Sequence, residues 1–176
     1  MEYTNLLQQR RSTRSFTGEP VSRAKLDAML AAGVRAPNAC NAQSWHFFCT
    51  IDRQMISGMV PKAAKQEFVR DAGCVILVCT DSAALEARFG SIVRELFSIQ
   101  DTAAAATQIL QCATTLGLAG CWIGSFDRIG VRDFFSVPDT MEPVILLAIG
   151  HAKVLPELRE RKPMEEVVTL LGDCGE

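Results

Sequence analysis

The run Cys74-Val75-Ile76-Leu77-Val78-Cys79-Thr80 carries no polar alternation. A strand with one face in water alternates apolar and polar side chains; an unbroken apolar strand is buried on both faces. Such a strand needs packing partners above and below it, and the remaining periodicities supply them as helices. At 176 residues the chain is long enough to bury that core within one domain, residues 1–176.

Thr4 to Gln9 reads as a short helix with Thr4 as its cap. Ser22 precedes Leu26, Met29, Leu30 and Gly33, an i, i+3, i+4, i+7 set behind a hydroxyl cap. Pro37 and the Asn-rich stretch after it stop that helix. Trp45 to Ile51 is an aromatic and β-branched strand. Residues 82–98 read as one amphipathic helix carrying Leu85, Phe89, Ile92, Val93, Leu96 and Phe97. Asp101 then opens an Ala-rich helix, Thr102 to Leu116, with Gly117 as the C′ residue. Small residues there allow close approach of another helix or a sheet. Ala119 to Ile123 and Pro143 to Gly150 are further strands, and Asp127 caps a helix to about Phe135. Interleaved helices and strands place the chain in the α/β or α+β class. The apolar end, Val167 to Leu171, resembles a lone strand that needs a sheet edge, which a partner chain could supply.

The formal net charge of −2 excludes the broad basic surface that nucleic-acid binding needs. No apolar run approaches a membrane span, and no signal-peptide core is present, so a cytoplasmic location is expected. Of the seven cysteines, none forms a CxxC pair or a metal-ligand spacing. Cys49, Cys74, Cys79 and Cys121 lie in strand-like runs, where reduced cysteine serves as a small core hydrophobe. With two histidines and no GxSxG, P-loop, HExxH or GxGxxG motif, chemistry from side chains alone is poorly served. A bound cofactor is the better carrier.

Four clusters could hold one. Arg10, Arg11, Ser12 and Arg14 concentrate cationic and hydroxyl donors suited to a phosphate monoester; alone, the commoner role of such a cluster is a solvated patch paired with Glu2, Glu19 or Asp27. Pro37, Asn38, Asn41, Gln43 and Trp45 offer amides that both donate and accept, as the edge of a flat heterocycle requires. The same residues would also make an ordinary turn before a core tryptophan. The passage from Gly117 to Asp127 has three glycines, Gly117, Gly120 and Gly124, and permits close backbone approach to a ligand, or simply a tight helix–strand–helix connection. Arg159, Arg161 and Lys162 would complete a phosphate site if the fold returns them to Arg10, and otherwise form a charged tail.

In this order the clusters resemble the nitroreductase family of FMN-dependent oxidoreductases. RRSTRSF is similar to its RRSxRxF, APNACNAQSW to APSxxNxQPW, and EPVILLAIGHA to its VPVxLLxxGxP strand. The Ala-rich helix with its Gly-rich turn and the RERKPMEEVV tail complete a likeness running from about residue 5 to 170. The resemblance implies an α+β fold with a mostly antiparallel sheet between helices. It also implies a homodimer with exchanged C-terminal segments and two interfacial FMN sites. By the same resemblance Arg10, Arg11, Ser12 and Arg14 would hold the phosphate and ribityl chain, with Arg159 and Arg161 beside them. Pro37, Asn38, Ala39 and Asn41 would reach the FMN of the other subunit. Gly124 and Ser125 would present backbone N–H groups near flavin N5.

The implied reaction is ping-pong hydride transfer from NADH or NADPH to a small electron-poor acceptor, a nitroaromatic or quinone, with no catalytic side chain. A different redox reaction such as dehalogenation or dehydrogenation, or a slow flavin sensor, is the alternative. The chain departs from the family at Asn38, usually Ser, and at Ser44, usually Pro. Lys65 and Gln66 are approximate counterparts of a flavin-contacting Asn or Lys. The long insertion that covers the flavin in larger members is lacking. Phe89 and Phe97 could line the pocket, although core packing is their commoner role.

Overall fold

The computed structural model describes residues 2–60 and 62–172. Four strands form one sheet: β1 (Trp45–Thr50), β2 (Cys74–Thr80), β3 (Ala119–Ile123) and β4 (Glu142–Gly150). Their order is β1-β2-β4-β3, and every pairing is antiparallel. The fold is therefore α+β.

Every residue of β2 is buried, as its unbroken apolar run requires. Val75, Leu77 and Cys79 face one core with Leu146 and Ala148 of β4. Cys74, Ile76 and Val78 face a second core with Ile145, Leu147 and Ile149. The first core is closed by Ile56 of α3 (Arg53–Gly58) and Val131 of α6 (Arg128–Phe135). The second is closed by α2 (Arg23–Gly33) and α5 (Ser98–Thr115) through Leu26, Met29, Ala106, Ile109 and Ala113. The small residues of the contact let α2 and α5 approach closely: a Cβ on Gly33 would lie 2.9 Å from Ile109.

Local signals formed where they were expected. The Ser22 hydroxyl accepts the Lys25 N–H, and the Asp127 carboxylate accepts those of Ile129 and Gly130. Gly117 follows α5 at φ 75°, and the Leu118 N–H returns to the Ala113 carbonyl at 2.9 Å.

Other expectations are corrected. The first helix, α1, runs Tyr3–Gln9 with Glu2 before it, so Thr4 lies inside it and caps nothing. Residues 82–98 are not one helix: α4 (Ala83–Phe89) stops at Gly90, whose φ of 77° a helix cannot continue. The chain restarts in a wide π-helical turn, Val93–Phe97, that runs directly into α5. Asp101 is consequently an interior helical residue. Phe89 is exposed beneath the Arg88 guanidinium, 4.9 Å from its ring centroid, and so lies outside the core. Cys49 is exposed because β1 is an edge strand with β2 as its single neighbour. Val167, Val168, Leu170 and Leu171 form no strand and are exposed.

After α1 the chain crosses one end of the sheet. Ser12 bridges Gly120 in parallel, Phe16 bridges Ala152, and the Val21 N–H donates to Gly73 O at 3.0 Å. Gly73 in turn donates to Ile149 O at 2.9 Å. A Cβ on Gly73 would sit 2.5 Å from the backbone oxygen of Glu19, an atom fixed by the crossing itself. Gly73→Ala should therefore destabilise the fold by about 2 kcal/mol or more, lowering Tm by about 4 °C or more. Gly58→Ala, where an added Cβ meets nothing within 4 Å, should leave Tm nearly unchanged. Thermal unfolding followed by circular dichroism reads both.

Candidate functional site

The crossing segment carries the first arginine cluster to the β3 edge of the sheet. There Arg10, Arg11, Ser12 and Arg14 line a pocket of about 160 Å³ together with Arg159 and Arg161. The two ends of the chain meet through Arg11, whose Nη1 donates to Pro156 O at 3.0 Å across 145 residues. That contact uses a neutral carbonyl, so the guanidinium charge stays uncompensated. Among the described residues Arg161 likewise bonds only backbone carbonyls, those of Arg159 and Glu160. Five arginines line the pocket against one carboxylate, Glu157. None of the five forms an ion pair among the described residues. The Nε of Arg11 is buried without a partner. Uncompensated guanidinium groups, an orphaned donor and the exposed Ser12 hydroxyl fit a dianionic phosphate monoester. Lys162 instead pairs with Glu166 at 3.8 Å and does not line the pocket. A larger cavity of about 600 Å³ shares Arg11 and is lined also by Thr13, Leu118, His151 and Lys153.

β3 runs from this pocket to the Gly-rich turn. Gly124 and Ser125 follow the strand and are exposed, and their N–H groups donate to no other described residue. A Cβ on Gly124 would meet nothing nearer than Trp122 Nε1 at 4.0 Å, so the backbone is open to a ligand on that side. Gln66 reaches the turn: its Nε2 donates to Ser125 O at 2.5 Å, and its Oε1 is buried without a partner. Of the two approximate counterparts, Gln66 is thus the one joined to the Gly-rich turn.

The amide loop lies elsewhere. Pro37, Asn38, Ala39 and Asn41 lead into β1, at the opposite edge of the sheet from β3. Within one protomer they line neither the arginine pocket nor the larger cavity. The loop is internally braced: Asn38 Oδ1 accepts the Gln43 N–H at 2.9 Å, and Asn38 Nδ2 donates to Ala36 O at 3.2 Å. Cys40, Asn41 and Gln43 all have positive φ, at 53°, 55° and 54°. A brace that the sequence reading missed is Asp101 of α5. Its Oδ1 accepts the Ala39 N–H at 3.0 Å, and its Oδ2 accepts the Ser44 hydroxyl at 2.8 Å. The signal available was an acidic residue at i+3 from Ser98 and beside Thr102, on the buried face of an otherwise alanine-rich helix.

An antiparallel sheet between helical layers, with a phosphate-sized cationic pocket and an open glycine turn at one edge, defines a small α+β ligand-binding protein. The chain belongs to the nitroreductase family, whose family model matches residues 7–57 and 52–151. A relative from Methanothermobacter thermautotrophicus is 30% identical over 164 residues, 91% of this chain and 82% of that protein. Its name pairs NADH dehydrogenase with NAD(P)H nitroreductase. An FMN reductase (NADPH) of Bacillus subtilis is 25% identical over 170 residues, 89% of this chain and 68% of that protein. A nitroreductase family protein of Streptococcus pneumoniae has the same fold, with a TM-score of 0.87 at 19% identity over 97% of this chain and 100% of that one.

No described cysteine lines the arginine pocket, although Cys121 lies beside Arg14. Cys74, Cys79 and Cys121 are buried core residues, none of the described cysteines is in a disulfide, and Cys174 lies outside the described residues. Burial pushes the Cys74 and Cys79 thiols from 9.0 up to about 12. Burial also raises Cys121, against the opposing pull of Arg14 beside it. A thiol whose folded value lies above its unfolded one stabilises the fold fully below about 9, and that contribution is lost as pH rises toward 12. Denaturation midpoints should accordingly fall with rising pH above about 9. At pH 8, a thiol reagent should modify Cys40 and Cys49 in the native protein, and Cys74 and Cys79 only after unfolding; peptide mass spectrometry distinguishes them.

Proposed function

We propose that the chain is an FMN-dependent oxidoreductase that takes hydride from NADH or NADPH and reduces a small electron-poor acceptor of nitroaromatic or quinone type in ping-pong order. The observation that carries this reading is the pocket that joins Arg10, Arg11, Ser12 and Arg14 to Arg159 and Arg161. Membership of the nitroreductase family and the reductase names of its relatives support it. When bound, FMN supplies hydride acceptance and release at N5.

The chain's own residues bind and orient. The arginine forks and the Ser12 hydroxyl hold the phosphate and ribityl end. Gly124 and Ser125 would offer unengaged backbone N–H groups to the flavin, as fixed donors able to stabilise developing negative charge without reorganising. Gln66 sets the position of that turn through its bond to Ser125 O. The amides of Asn38 and Asn41, with Pro37 and Ala39, belong to the site of a second copy, since their own pocket lies at the other sheet edge. The homodimer is supported by the exposed apolar side chains of Val167, Val168, Leu170 and Leu171, which find no cover on their own chain. Free, buried thiols accord with a cytoplasmic setting.

Purified protein should be yellow, with one FMN released per subunit. Arg10→Ala with Arg14→Ala removes two charge-assisted contacts and should weaken FMN binding by about 100-fold or more, leaving a folded, colourless protein. Retention of FMN by that variant would refute the phosphate assignment. Stopped-flow mixing with NADH and with NADPH should bleach the flavin, and failure of both nucleotides would sink the reductase reading.

Light scattering after gel filtration should give twice the 19.2 kDa of one chain. Leu170→Asp with Leu171→Asp should shift that population toward the single-chain mass, and an unchanged dimer would remove those residues from the contact.

A further inference from the structure

We propose that Asp101 is the positioning residue of the loop 37–44: it fixes that loop in its ligand-ready shape from the core side. The inference rests on the FMN reading for the loop's purpose, but its geometry is independent of that reading.

The loop holds three non-glycine residues at positive φ within four positions, Cys40, Asn41 and Gln43. Such a conformation is costly for L-residues and persists only where the surroundings over-determine it. Asn38 braces the loop from within. From outside, the Asp101 carboxylate spans it, gripping Ala39 before the strained residues and Ser44 after them. A tie at each end sets where the intervening side chains point.

Asp101 is built for that purpose rather than for surface chemistry. It is 5% exposed, projects from the first turn of α5 just after the π-helical turn, and forms no ion pair among the described residues. Ser44, whose hydroxyl donates to it, is 2% exposed. A buried carboxylate with two neutral donors makes strong, directional bonds. The residues it restrains, Cys40, Asn41, Ala42 and Gln43, are all exposed. The brace is therefore in the core and its product is on the surface, the arrangement of a preorganised binding loop.

Asparagine at 101 would keep one acceptor for the Ala39 N–H, and the Ser44 hydroxyl could reverse to accept from the new amide. Alanine would lose both ties. Asp101→Asn should thus lie between wild type and Asp101→Ala in every readout.

The experiment measures two quantities on wild type, Asp101→Ala, Asp101→Asn and Ser44→Ala. The first is the rate of iodoacetamide labelling at Cys40 in FMN-free protein, with exposed Cys49 on β1 as internal reference. The second is the Kd for FMN by fluorescence quenching. Asp101→Ala should change the Cys40 rate several-fold while the Cys49 rate holds, and should raise the Kd about tenfold or more. Asn and Ser44→Ala should give intermediate values of both. If Asp101→Ala fails to fold, those two milder variants decide the matter. Unchanged Cys40 labelling in them overturns the brace; altered labelling with unchanged Kd overturns its role in FMN binding. Wild type that binds no FMN would remove the cofactor reading, while Cys40 labelling would still report whether Asp101 shapes the loop.

Discussion

The pair β2–β4 is packed on both faces, and everything else in the molecule is arranged around that fact. A sheet whose central strands are covered above and below has no face to offer a ligand. Binding groups can be placed only at the sheet's edges and ends, on segments that the core does not consume. The chain uses both edges. At β3 it lays down the arginine-bearing segment through the Ser12–Gly120 bridge. At β1 it mounts the amide loop directly before Trp45. The crossing that delivers the arginines passes so near the sheet that the backbone of Gly73 leaves no space for a side chain.

The pocket at the β3 edge gathers like charges, which repel. It is held together by groups that leave those charges intact. Arg11 is tied to a neutral carbonyl, Pro156 O, and the Thr13 N–H to Gly120 O at 3.0 Å. Partners without charge fix position without spending the electrostatic potential. The result is a site whose own repulsion an anion relieves, so that an anionic ligand which binds the folded form also stabilises the fold.

What could be read from the sequence was whatever depends on neighbouring residues. The unbroken apolar run of β2 announced its double burial, and the Ser22 and Asp127 caps and the Gly117 terminus came from local chemistry. The misreadings share a different cause. Cys49 sits in an apolar run, but its exposure follows from β1 lying at the sheet edge, which strand composition does not encode. Gly90 was a local signal, overridden by the apolar spacing on either side of it. Asp101 before a run of alanines has the form of a helix cap, yet its partners lie 62 and 57 residues away. In the site, the Arg10–Arg14 cluster was visible as composition, and its convergence with Arg159 and Arg161 was a condition that only the fold could satisfy.

The separation of the two edges bears on how many chains a complete site needs. Two strands stand between β1 and β3, a spacing of about 14 Å across the sheet. On the proposed reading each edge by itself would present half of a complement to a phosphorylated flat heterocycle: cations and bare backbone at one, amides at the other. In the proposed dimer a two-fold axis would bring the amide edge of one copy toward the cationic edge of the other, and would do so twice. In the proposed dimer, the strained conformation of Cys40, Asn41 and Gln43 would then act on the neighbour's ligand, not on the chain that stabilises it. That arrangement would make cofactor retention depend on association, because neither half alone surrounds the ligand.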